Sequence, residues 1–229
     1  MDLFSKYRVR QINPDRASDG DDRSPGLYRD GTGLVNSREG LVDRWTRDGR
    51  VFLAGTPAAG TPETMSATGT AITTTAPSLR YTVPDGAVFV PIHVSLSVAT
   101  VIAKSDIFGV IISDTDTYTS GGETVTARNA LIQSNRVLRA TQAQSLLNSD
   151  TAIVEGTVTR VRILKMLKRQ GQAAELNTTW NPEYNILKGD PMVYLVGPAS
   201  FLVFEVQETT AAEATWSMSW AELDPSEVP

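Results

Sequence analysis

The stretch Ile92-His93-Val94-Ser95-Leu96-Ser97-Val98 alternates a large apolar residue with a small or polar one. Successive side chains of a strand point to opposite faces, so a period of two predicts a strand with one buried face and one wet face. Trp216-Ser217-Met218-Ser219-Trp220 repeats the pattern near the C-terminus, again with the large residues on one side. Two such strands need an apolar surface to cover their large residues, and that requirement points to packed sheets.

Outward from these segments, further strands are predicted at 69–75, 78–83, 88–102, 108–113, 128–134, 151–167, 192–196, 201–207 and 215–223. Pro84-Asp85-Gly86, Ser120-Gly121-Gly122 and Lys188-Gly189-Asp190-Pro191 punctuate them with turn chemistry. Residues 192–196 and 201–204 are apolar at every position, as central strands covered on both sides are. A neighbouring subunit is one way to supply the second cover. Ala140 to Leu147 (ATQAQSLL) reads as a short helical turn. No strand–helix–strand alternation occurs. The expected fold is all-β, an antiparallel two-sheet, jelly-roll-like sandwich with one long excursion over 167–185.

Residues 13–33 hold Pro14, Gly20, Pro25, Gly26, Gly31 and Gly33 among Asp, Arg and Ser, a texture with too little apolar surface to fold alone. It reads as an extended arm. Residues 41–53 (LVDRWTRDGRVFL) combine bulky apolar residues with an Asp48-Gly49 pair able to supply positive φ, which predicts a β-hairpin within the arm. An isolated hairpin is marginal in water and needs a surface to lie on. AGTPAAGTP at 54–62 is a small-residue linker. The expected organisation is therefore an N-terminal arm over 1–55, a linker over 56–64 and a sandwich over 65–229.

The chain has 229 residues, no cysteine, one histidine and a net charge of −5. Without cysteine there are no disulfides, thiolate metal sites or Cys nucleophile. There is no run of eighteen apolar residues, the length needed to span a bilayer as a helix, and residues 1–10 lack the apolar stretch of a secretory signal. The first fifty residues carry ten Lys or Arg against nine Asp or Glu; the other 179 carry eleven against seventeen. Proteins that package nucleic acid neutralise many phosphates with an excess of cations, so bulk nucleic-acid binding is not expected.

Catalytic signals are sparse. His93 lies on the polar side of its strand with no neighbouring nucleophile or orienting acid in sequence. A single His and no Cys exclude the histidine-rich metal sites of enzymatic jelly rolls and structural zinc. Asp19, Asp21 and Asp22 form one acidic cluster, and Asp114 with Asp116 another. Neither supplies the oxygen set a hard cation needs. Glu155, Glu205 and Glu222 lie in expected strands, but nothing in the sequence sets two of them at glycosidase separation. No phosphate-binding loop or nucleophile elbow is present. No enzymatic activity, cofactor or metal is expected. Arg160, Arg162, Lys165, Lys168 and Arg169 form a basic run, suited to a solvated face, to contact with an acidic neighbour or to a phosphate. Phe4, Tyr7, Trp45, Phe52 and Trp180 stand outside any evident core and are the candidate intermolecular anchors.

A polar arm, a small-residue hinge and a strand-rich domain ending in GPASFLVFEVQETTAAEATWSMSWAEL resemble the jelly-roll structural proteins of virus and tailed-phage particles, such as head decoration (cement) subunits or spike and fibre proteins. The resemblance implies a virion protein, made in the host cytoplasm. It would be a homotrimer on a capsid surface, with the arm reaching over neighbours such as the major capsid protein to stabilise the shell. A receptor- or glycan-binding spike module would instead use loops such as 114–123 and 171–184. A shell-forming jelly roll would turn its arm to the genome, which the balanced charge of the arm disfavours.

Overall fold

The computed structural model describes residues 38–57, 61–65, 67–99, 105–131, 146–148, 152–158, 160–170, 179–208 and 211–228. The chain divides into two units, Met1–Asp43 and Arg44–Pro229. Among the described residues there is one α-helix, α1 (Arg38–Arg47). Seventeen strands follow: β1 (Val51–Gly55), β2 (Glu63–Thr64), β3 (Ala67–Thr68), β4 (Leu79–Val83), β5 (Val88–Ala99), β6 (Ser105–Ser113), β7 (Tyr118–Ser120), β8 (Glu123–Thr124), β9 (Arg128–Asn129), β10 (Leu146–Asn148), β11 (Val154–Glu155), β12 (Arg162–Gln170), β13 (Thr179–Trp180), β14 (Glu183–Asn185), β15 (Leu195–Val196), β16 (Ala199–Gln207) and β17 (Glu213–Leu223).

They form two large sheets. The first runs β13-β5-β17-β1-β9, with β14 and β15 also on β5 and β2 on β17; the second runs β12-β6-β16-β4-β10-β8, with β3 on β16. All pairings are antiparallel except that of β3 with β16. β7 and β11 make a separate two-stranded ribbon. The alternating segments that opened the sequence reading, 92–98 and 216–220, lie side by side as β5 and β17, with Trp216 opposite Leu96 and Met218 opposite Val94. Between the sheets, Tyr81 of β4 meets Phe89 of β5 at 4.2 Å and Trp220 of β17 at 5.3 Å, while Phe89 meets Phe201 of β16 at 5.2 Å. These buried aromatics close a sandwich core.

β6 and β16 are buried at all nine positions each. Their inner face looks into the sandwich. Their outer face carries Ile107, Ile111, Leu202, Phe204 and Val206, covered by Ile72, Val158 and Val161 from the chain's own connecting segments. The second cover expected for 201–204 is thus intramolecular where these residues meet it. Gly109 permits it: a Cβ there would lie 2.4 Å from Ile72 Cδ1, so a bare backbone lets Ile72 settle onto the strand. Residues 192–196 differ from expectation, because only Leu195–Val196 is a strand, on β5, and Val196 is exposed.

The predicted hairpin is a helix followed by a strand. Asp48 N donates to Arg44 O, Gly49 N to Thr46 O and Arg50 N to Trp45 O, and Gly49 has φ of 69°. This is a Schellman cap. The positive φ expected of Gly49 is present, but it ends a helix; Arg44 and Arg47 in the last turn suit the negative end of the helix dipole. The domain boundary moves with it. β1, placed by the sequence reading at the end of the arm, lies between β17 and β9, so the sandwich includes residues before the 56–64 linker. No strand forms over 69–75, where bends and turns follow the two-residue strand Ala67–Thr68, and the expected strand over 151–167 splits into β11 and β12. In place of a helical turn reaching 147, Leu146–Asn148 pairs with Leu79–Tyr81 as a strand, while 140–145 lie outside the described residues.

Candidate interaction surface

The five expected anchors fall in different places. Trp45 and Phe52 are both buried, and Phe52 stacks on Trp220 at 6.1 Å. Phe52 uses its surface inside the sandwich as part of β1, and Trp45 is buried in α1, so both differ from the exposed placement expected of anchors. Trp180, half-buried, lies in β13 opposite Val98 at an edge of the first sheet. Phe4 and Tyr7 lie outside the described residues.

β12 is the end strand of the second sheet, hydrogen-bonded to β6 alone among the described residues. Its sequence, Arg-Ile-Leu-Lys-Met-Leu-Lys-Arg-Gln, has four cations and no acid. Ile163 is 57% exposed, Met166 49% and Leu167 37%. A register shift between Ile163 and Lys165 sets Ile163 opposite Ile111 and Met166 opposite Gly109, two residues apart on β6. Both therefore point to the outer face, extending its apolar layer to the rim. Lys168, opposite Ile107, shares that face; Arg162, Lys165, Leu167 and Arg169 point to the other. Lys165 Nζ donates to both oxygens of Asp190 at 2.7 and 2.9 Å, and that carboxylate also accepts from Asn185 N at 2.7 Å. The ion pair clips β12 to the loop after β14 at the open side of the sandwich.

The basic run is thus divided by the fold. Arg160 precedes the strand with φ of 55° and pairs with Asp114 at 3.3 Å. Lys165 is held by Asp190, and Arg169 lies opposite Asp106, whose carboxyl its charge stabilises. Arg162 and Lys168 are the two whose charges no carboxylate meets among the described residues, and both are exposed.

Among the described residues, buried charge gathers in two clusters, apart from Glu222, which accepts from Tyr81 and Trp220. Arg80, wholly buried on the outer face of β4, donates to Glu155, Asp116 and Thr82, and its guanidinium carbon sits 4.8 Å from the centre of the Tyr118 ring. Thr117 Oγ1 donates to Glu155 at 2.9 Å. This network fastens the β7–β11 ribbon to the second sheet. Asp114 and Asp116, weighed as cation ligands from sequence, are instead both partnered by arginine. The second cluster faces the interior: Glu205 and Gln207 on β16, with Asp106 opposite Gln207 on β6. Asp106 Oδ2, both Glu205 carboxylate oxygens and Gln207 Nε2 have no hydrogen-bond partner among the described residues. Burial pushes the Glu205 carboxyl well above its ordinary value and the charge of Asp106 adds to the shift; burial likewise raises Asp106, against the pull of Arg169.

His93 stands opposite Ser219 on the polar face of the first sheet, with Nε2 3.6 Å from Glu183 Oε2. An acid the local sequence did not reveal is therefore beside it. No hydroxyl is hydrogen-bonded to the imidazole among the described residues. The edge character of β12 had a sequence trace only in its lysines and arginines, since an edge is a property of sheet order. No family model, curated protein or solved structure matches the chain.

Proposed function

We propose that this protein is a structural, non-enzymatic component that works by associating with other protein chains. The observation that supports this reading is β12, a nine-residue sheet edge bearing exposed Ile163, Met166 and Leu167. Exposed edge strands are templates for pairing with another chain; unused edges are commonly shortened, covered, bulged or charged, and β12 is charged and bulged yet also long and exposes apolar side chains. Within that class the specific reading is the one the resemblance suggests, a decoration subunit of a virus or phage particle that assembles as a homotrimer and contacts the shell proteins beneath it.

Static light scattering of the full chain over a range of concentrations tests it. A mass of three times 24.8 kDa is the expected result. A monomer at every concentration would contradict the trimeric decoration reading.

A further inference from the structure

We propose that β12 accepts an extended acidic segment of a different protein as an added strand, with apolar residues of that segment seated on Ile163 and Met166. The inference rests on the association reading above and names the chemistry of the partner. Three properties of the strand lead to it.

The first is backbone supply. β12 bonds on one side only among the described residues, so alternate N–H and C=O groups along its other side are available to an incoming strand. The second is charge. Arg162, Lys165, Lys168 and Arg169 occupy four of nine positions without an acid among them. Lys165 and Arg169 face carboxylates of their own chain, leaving Arg162 on one face and Lys168 on the other for the carboxylates of a partner. The third is the exposed apolar pair Ile163 and Met166, which shares its face with Lys168 and not with Arg162. A segment of alternating acidic and apolar residues sets its apolar side chains on that pair and its acids on the face of Arg162, with the Lys168 charge adding to the positive field of the strand.

The same features disfavour the other occupants. A second copy of β12 would bring four more cations and no acid to the pair, and like charges crowded on facing strands are destabilising. Nucleic acid is disfavoured because on β12 only Arg162 and Lys168 have no carboxylate among the described residues, with apolar side chains between them and a net charge of −5 on the chain.

The test is fluorescence anisotropy with the full chain and a labelled peptide of alternating valine and glutamate, alongside its valine–lysine counterpart. The glutamate peptide is expected to bind and the lysine peptide not to. Reversing both free charges, Arg162→Glu with Lys168→Glu, is expected to weaken binding about tenfold with the circular dichroism unchanged, because both residues are exposed. N-methylation of alternate peptide bonds, which removes the strand-pairing donors, is expected to abolish it. The proposal is overturned if neither peptide binds, if both bind alike, or if charge reversal or N-methylation leaves binding intact. Tighter binding of a single-stranded oligonucleotide than of the glutamate peptide also overturns it. None of these readings depends on trimer mass, so a trimer that ignores the peptide removes this inference alone, and a monomer that binds it removes the trimeric reading alone.

Discussion

Arg80 and Glu205 are both fully buried, on opposite faces of the second sheet, and their surroundings lead to opposite expectations. Arg80 has carboxylates and hydroxyls around its guanidinium. Arg80→Ala strands the buried Glu155 carboxylate and is expected to cost about 3–5 kcal/mol, read as a lower urea midpoint. Glu205 has no partner for either oxygen among the described residues. Its folded-state pKa lies above the ordinary 4.5, so the protonated form favours folding and the negative form opposes it. The stability linked to this group is whole below the ordinary carboxylate range and is lost as pH rises through the raised folded value, by about 1.4 kcal/mol per pH unit while the two states differ in protonation. Glu205→Gln removes the titration. Thermal melts of variant and parent are expected to be close at pH 4 and to separate in favour of the variant above pH 7; a constant difference across that range would contradict the assignment.

At the scale of elements, local chemistry was legible and its use was not. The alternation over 92–98 and 216–220 identified the strands that became β5 and β17, because period two survives any tertiary context. Asp48-Gly49 was correctly read as a site of positive φ, but the same backbone conformation serves a hairpin turn and a Schellman cap. Leu41, Val42 and Trp45 fit a helix face as well as an irregular strand, and the choice between them was not local. Gly49→Ala retains room for its Cβ, with Leu131 Cδ2 3.7 Å away, yet must hold φ near +69°. It is expected to cost about 1–2 kcal/mol, measured by chemical denaturation. The burial of Arg80 was hidden for another reason: its cover comes from Asp116 and Glu155, 36 and 75 residues away in sequence. Reading β11 and β12 as one run concealed that the basic residues lay on a sheet edge, since edge position depends on which strands pair elsewhere.

In the whole molecule, β1 carries the most direct consequence for experiments on the N-terminal region. A deletion ending at residue 55 removes a strand that pairs with both β17 and β9 and takes Phe52 from beside Trp220. Such a chain is expected to melt far below the parent. One beginning at Arg44 retains every strand found among the described residues and is expected to keep a cooperative transition. The sandwich thus serves as a scaffold that closes its core with its own connecting segments and leaves β12 as a long, cationic, partly apolar rim. The most direct test of this account is residue-resolved amide hydrogen exchange across 162–170, with and without the valine–glutamate peptide. In the free protein the account predicts alternating protection, slow where an amide donates to β6 and fast where it points outward, with the fast set becoming slow when peptide is added. Uniform protection in the free protein, or no change with the peptide, would contradict the claim that β12 is an open docking edge.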